Sequence, residues 1–223
     1  MALSFRKFTL VAGLVTILLA TLSLLLIGFT SVSGSKPVLQ PNYNPKVIEL
    51  SNQGKVLSVP YLNQGDTNWC FDASLAMVLQ FYGEFVDVSD IATTLGQSPQ
   101  LSINFFDIII GRISTYVSQW PSLSVDYSYG IWDFDHYKEK VDASSPIITS
   151  SFSLPFTKQG HTIVVTGYLI QDDQRYLIIN DPSGYLSCST WKRSNTYNVL
   201  INWREFESFS QSAWSHVIVH QAS

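Results

Sequence analysis

Apolar positions along the chain fall into three regimes. From Phe8 to Phe29 they run on without a single charged residue, broken only by small or hydroxyl side chains such as Thr9, Thr16, Thr21 and Ser23. Between Cys70 and about Tyr116 they recur at helical spacing. Ala73, Leu75, Ala76, Met77, Val78, Leu79 and Tyr82 predict a helix buried on most of its circumference, opened by the capping residues Asp66, Thr67 and Asn68 and closed by Gly83. A shorter helix follows from Ser89-Asp90 to Leu95, ended by Gly96, and a third from Ser102 to about Tyr116 carries Phe105, Phe106, Ile109, Ile110 and Ile113 on one side. Val125 to Tyr129 reads as a strand and Phe134 to Val141, headed by Asp133, as an amphipathic helix. Beyond Pro146 the period shortens. Pro146–Phe152, His161–Ile170, Arg175–Asn180 and Ala213–His220 have strand length and β-branched content, and the turn signal Gln171-Asp172-Asp173-Gln174 joins the middle two into a hairpin. Helices first and antiparallel strands afterwards predict an α+β domain.

The first regime bounds the organisation. About 20 apolar residues are what a helix needs to cross a bilayer. Arg6 and Lys7 in front of them favour an N-terminus in the cytoplasm and a domain outside. Residues 1–30 are therefore expected to be a transmembrane anchor. The rival is a signal peptide cut near Ser31-Val32-Ser33, which would leave a secreted chain; the length of the apolar run favours the anchor. Residues 31–55, with Pro37, Pro41 and Pro45 among Ser, Asn and Gly, read as an extended stem, and residues 56–223 as one globular domain. Val56 to Val59, ending at Pro60, reads as a short edge strand.

Composition narrows the function. A net charge of −4 and no basic run longer than Lys192-Arg193 in the domain exclude nucleic acid as the expected partner. Two cysteines are too few for a disulfide framework but enough for one Cys70–Cys188 bond. His216 and His220 share a strand face without a third residue at ligand spacing, so no metal and no organic cofactor are expected.

Candidate chemistry starts at Cys70. The first turn of a helix offers unpaired N–H groups and the positive end of the dipole, which favour a thiolate. Gln64 lies six residues earlier, in a loop able to fold back so that its amide donates to an oxyanion beside the Cys70 N–H. In the hairpin, His161 falls opposite residues near Ser183 or Gly184, with Asn180 and Asp181 close along the neighbouring strand. Either can hold an imidazole tautomer, and one step of register decides between them; Asp181 is preferred and Asn180 held in reserve. Gly160 leaves room beside the ring for a substrate backbone, and Trp69, next to the cysteine, is expected to wall the cleft.

Val59-Pro-Tyr-Leu-Asn-Gln64, Asn68-Trp-Cys70 with Ala73-Ser74, Gly160-His161, Val165-Thr-Gly-Tyr168 and Asn180-Asp-Pro182 together resemble the C39-like cysteine peptidases of the papain superfamily, over roughly residues 56–185. The resemblance implies a papain-like fold, a helical part packed on an antiparallel sheet with the cleft between. It also implies Gln64 as oxyanion donor, Cys70 as nucleophile, His161 as base and Asp181 as third member, acting on a peptide or protein substrate. The double-glycine leader substrate of transporter-fused members is not carried over. Where the family usually has Gly-Pro after the cysteine, this chain has Phe71-Asp72. A carboxylate there would disfavour the thiolate unless it points away. That departure keeps two alternatives open: a catalytically silent peptide-binding domain, and an amidase or acyltransferase using the same thiol.

Overall fold

In the computed structural model the residues described are 47–49, 53–100, 106–151, 160–183, 197–209 and 214–222. The expected anchor, most of the stem, and Cys188 lie outside them. Among the described residues no helix is long and apolar enough to cross a membrane.

Eight strands form one sheet: β1 (Val47–Glu49), β2 (Gly54–Leu57), β3 (Leu123–Tyr129), β4 (Ile147–Ser151), β5 (His161–Gln171), β6 (Gln174–Asn180), β7 (Val199–Asn202) and β8 (Trp214–Gln221). Among the described residues five helices accompany them: α1 (Cys70–Phe81), α2 (Val88–Thr94), α3 (Phe106–Val117), α4 (Phe134–Asp142) and α5 (Trp203–Phe209). Every strand pairing is antiparallel, so the chain is an α+β protein as the pattern indicated. β2 is not an edge strand, because β1 pairs with it through Val47↔Leu57 to Glu49↔Lys55. The sheet thus reaches back into the segment read as stem.

β5 is the strand everything else meets. One of its edges pairs with β6 from Val164 to Gln171. The other pairs first with β4 from His161 to Val165 and then with β2 from Gly167 to Leu169. The β5–β6 turn is Asp172-Asp173, both at positive φ (51° and 58°), the two-residue geometry that matches strand twist. A bulge interrupts the pairing between Val165 and Gly167.

α1 packs its apolar circumference against this sheet. Ala73, Leu75, Ala76, Met77, Val78 and Leu79 are fully buried, in one core with Ile147, Ile148, Ile163, Val164 and Val165. At about 1.5–3 kcal/mol per buried large aliphatic side chain, that face holds the helix far more firmly than its caps do. Its N-cap is Trp69, with no side-chain cap bond, in place of the expected Asp66, Thr67 or Asn68. Gly83, at φ 93°, ends it as expected. In α2 the cap is Asp87, accepting from the Ser89 N–H at 2.8 Å, two residues before the expected one. In α4 it is Asp133, accepting from the His136 N–H at 2.9 Å. The end of α4 is tied to the sheet by Lys55 Nζ on the Asp142 carbonyl (2.8 Å) and by Tyr168 O–H on the Asp142 carboxylate (2.8 Å).

Gly167 shows how tightly β2 sits on β5. A Cβ at this position would stand 2.4 Å from the Lys55 carbonyl oxygen and 2.9 Å from Val56 Cα, both backbone atoms that cannot swing aside. Gly167→Ala is therefore expected to destabilise the domain by about 1–3 kcal/mol, the cost of forcing an extra methyl into a packed interior. Thermal unfolding followed by circular dichroism checks it, and an unchanged melting temperature would contradict this packing.

Candidate active site

His161 opens β5 and Asp181 immediately follows β6, so the hairpin carries both. His161 Nε2 donates to Asp181 Oδ1 across 2.8 Å, with both side chains buried. Asn180, the reserve, faces elsewhere. Its Nδ2 donates to the Val59 carbonyl (3.2 Å) and its Oδ1 accepts from the Asn198 N–H (2.9 Å). Asp181 Oδ1 also accepts from the Ser183 N–H (3.0 Å) and the Ser183 hydroxyl (3.2 Å), and the same hydroxyl lies 3.2 Å from His161 Nε2. Three donors converge on one carboxylate oxygen, which fixes the acid and through it the ring.

Cys70 is the first residue of α1, a free thiol and only half-buried. With Nε2 committed to Asp181, Nδ1 is the ring nitrogen left to address the sulfur. Burial of the thiol pushes its pKa up. The hydrogen bond and charge of His161, together with bonds from Thr162, outweigh that and leave it below the ordinary thiol value. For His161, burial acts downward, but the charge and hydrogen bond of Asp181 and the contact with Cys70 hold it up at about 10. Both displacements favour a thiolate–imidazolium pair, in which the two groups titrate together.

Gln64 sits on a loop pinned to both neighbours. Its N–H donates to the Pro182 carbonyl (3.0 Å), and its side-chain Nε2 donates to the Thr67 carbonyl. The Thr67 hydroxyl returns a bond to the Gln64 carbonyl (2.6 Å). The second N–H of the Gln64 amide is not used by that bond. Asn68, expected as a cap, anchors the loop instead: its N–H donates to the Pro99 carbonyl (2.9 Å) and its Nδ2 to that of Gln100 (2.9 Å). Trp69 is half-buried against the core, and Gly160 is exposed beside His161. The structure thus brings Cys70, His161 and Asp181 together, with Gln64 hydrogen-bonded to the Asp181-Pro182-Ser183 segment.

Two contributors carried no signal of their own in the sequence. Thr162 donates to the Cys70 sulfur and bonds Ser150 (2.8 Å), and Ser183 joins His161 to Asp181. Only the hairpin register, which sets Ser183 level with His161, could have pointed to the second. The histidines outside the site are structural. His216 stacks on Trp132 at 4.0 Å, takes part in hydrogen bonds with Thr149 and the Gly130 carbonyl, and is driven down to about 4 chiefly by burial. His220 faces Asp126 at 3.2 Å. Among the described residues no group of metal-ligating side chains assembles.

Comparison with known proteins agrees with this frame. The model of the Peptidase_C39 like family matches residues 56–211, most of the chain, and the chain belongs to that family. It is similar to a solved structure from Bacillus anthracis described as a C39-like peptidase, at 16% identity and TM-score 0.45, covering 77% of this chain and 97% of that one. The peptidase domain of Streptococcus ComA, a bifunctional ABC transporter of a quorum-sensing pathway, matches at 19% identity and TM-score 0.44, covering 72% and 95%. UfSP from C. elegans matches at 12% identity and TM-score 0.48, covering 82% and 36%. No curated protein matches.

Asp72, half of the unusual Phe71-Asp72 pair, is fully buried. Its Oδ1 accepts from Gln97 Nε2 (3.0 Å), and its Oδ2 has no partner among the described residues. Burial pushes its pKa up to about 8, against a lowering by its own backbone N–H, so at neutral pH the group is mostly uncharged and adds little negative charge beside Cys70. The folded carboxyl keeps a proton that the unfolded chain releases near pH 3.8. Stability should therefore fall as pH climbs from there to about 8 and level off above. Asp72→Asn removes that loss. Its advantage in urea unfolding should be nearly absent near pH 4 and grow to about 5 kcal/mol at pH 8. A pH-independent difference would contradict a neutral buried Asp72.

Proposed function

We propose that this chain is a thiol peptidase, held on the outer side of a membrane by residues 1–30 and using Cys70, His161, Asp181 and Gln64. The observation that carries the reading is the free thiol at the head of α1 beside an imidazole whose far nitrogen is held by Asp181 at 2.8 Å. The Cys70 thiolate attacks the scissile carbonyl carbon and forms a C–S bond. The carbonyl oxygen, now anionic, is received by the Cys70 N–H and the remaining N–H of Gln64. As the C–N bond breaks, His161 gives its proton to the leaving amine, and a thioester remains on Cys70. Water then attacks the thioester, loses a proton to His161, and frees the acid product and the thiol. Asp181 keeps Nδ1 aimed at sulfur and stabilises the imidazolium, supported by Ser183. No metal or organic cofactor enters the scheme.

The buried, uncharged Asp72 removes the main reason to prefer a silent binding domain. Transfer of the acyl group to an amine instead of water would use the same thioester, and product mass separates the two outcomes.

Activity profiling of the full-length protein with a peptide-based thiol probe should label Cys70, and iodoacetamide should modify it faster at neutral pH than a free thiol. Cys70→Ala and His161→Ala should each lower peptide cleavage by about six orders of magnitude, as loss of a nucleophile or base does elsewhere. The pH profile should be a bell. Activity rises as the thiol ionises below its ordinary range and falls only as the imidazolium, held near pH 10, gives up its proton. In Asp181→Asn the alkaline limb should move down toward the ordinary imidazole range. Sluggish labelling of Cys70, with a profile indifferent to Asp181, would defeat the proposal.

A further inference from the structure

A polar cavity of about 500 Å³ adjoins the His161–Asp181 pair, bounded by the Asn63–Asn68 loop, by Pro99 and Gln100, and by Ser183. Ser183 bonds to both His161 and Asp181, so one wall of the cavity is a single hydrogen bond from the candidate pair.

The hydrogen-bonding groups around this cavity are unequally committed. Several of its donors are engaged within the protein. Asn63 Nδ2 donates to the Tyr61 hydroxyl (3.1 Å), the Gly65 N–H to Asn63 Oδ1 (2.7 Å), and Asn68 Nδ2 to the Gln100 carbonyl (2.9 Å). The hydroxyls of Thr67 and Ser183 are likewise bonded, to the Gln64 carbonyl and to the His161–Asp181 pair. Two acceptors, on Gln64 and Asp66, are not. Gln64 Oε1 is buried on a side chain only 6% exposed, yet has no hydrogen-bond partner among the described residues. The amide cannot be turned round to relieve this, since its nitrogen must face the Thr67 carbonyl. A buried acceptor without a donor costs about 1–3 kcal/mol, which a ligand donor would recover. Asp66 is exposed on the same wall, and among the described residues no cation lies within ion-pair distance of it. Among the described residues no lysine or arginine lines the cavity.

Resting on the peptidase reading, we propose that this cavity is the specificity subsite and that it takes a basic side chain, lysine or arginine, flanking the scissile bond. An ammonium or guanidinium brings only donors and one positive charge. It can give an N–H to Gln64 Oε1 and pair with the Asp66 carboxylate. An acidic side chain would meet Asp66 with like charge, and an aliphatic one would leave Gln64 Oε1 unsatisfied.

The test uses the full-length protein and one peptide series carrying lysine, arginine, norleucine or glutamate at the positions flanking the cleaved bond. Binding to the Cys70→Ala variant by calorimetry should favour the lysine or arginine peptide over norleucine by about tenfold, as a charge-assisted bond gives. The ratio should shrink with added salt, since an exposed carboxylate is screened. In the Cys70→Ala/Asp66→Asn double variant it should shrink and lose its salt dependence, with the melting temperature unchanged because Asp66 is at the surface. Equal binding of all four peptides, or a preference left undiminished by loss of Asp66, overturns the subsite. Cleavage by the unaltered chain separates the two readings. Selective binding without cleavage sinks the peptidase and leaves the subsite standing, whereas cleavage without preference does the reverse. Neither binding nor cleavage sinks both.

Discussion

One irregularity in one strand decides whether an acid or an amide meets the histidine. Beyond the bulge, β5 and β6 pair as Gly167↔Ile178 and Tyr168↔Leu177; before it they pair as Val165↔Ile179 and Val164↔Asn180. Opposed residues share a face, and faces alternate along each strand. Carried on to the mouth of the hairpin, the shifted register sets Ser183 level with His161 and puts Asp181 on the histidine's face. The unshifted register would have put Asn180 there. The extra residue, Thr166, is buried and spends its hydroxyl on the Ile178 carbonyl (3.2 Å), as the unpaired member of a bulge must. Bulges beside functional sites re-aim side chains in this way. Here the consequence is chemical, because a carboxylate stabilises an imidazolium and an amide only orients it.

This also marks the boundary of what the sequence can disclose. The turn at Asp172-Asp173 made the hairpin legible, and with it the neighbourhood of His161. The choice between Asn180 and Asp181 was not legible, because a bulge leaves no compositional mark in Val165-Thr166-Gly167. Cys70 and Gln64 were readable from local spacing. The start of α1 misled, because Thr67 and Asn68 look like caps yet Thr67 bonds back to the Gln64 carbonyl and Asn68 reaches Pro99 and Gln100. Local propensity cannot see that competition. β1, β7 and α5 are short and mixed in polarity, and they exist because β2 and β6 offered open edges to pair with.

The pair Phe71-Asp72 illustrates two electrostatic effects of unequal size. An acid in the first helical turn gains up to about 1 kcal/mol from the dipole when it stays ionised at the surface. Burying an unpaired carboxylate costs several kcal/mol, so in the interior the group takes up a proton instead. Asp72 is fully buried with a single neutral donor, Gln97, so desolvation wins and the residue behaves as a hydrogen-bonding link between α1 and the loop after α2. The departure from the family pattern therefore leaves the thiolate's balance to His161 and Thr162.

Three further bonds extend that link. Asn68 ties the loop before Cys70 to Pro99 and Gln100 on the helical side, while the Gln64 N–H ties its other end to Pro182 on the sheet side. The segment from Gln64 to Cys70 is thus held at both ends, between the element bearing the thiol and the strand end bearing the acid. In the proposed reaction, charge appears on an oxygen that must find its donors already in place, since donors that had to reorient would give back most of what they contribute. Pinning the loop to both halves of the domain holds those donors in advance. It also explains why Gln64 can be buried with one acceptor unspent: the amide is held by the geometry of its loop, through its own N–H and its side-chain nitrogen.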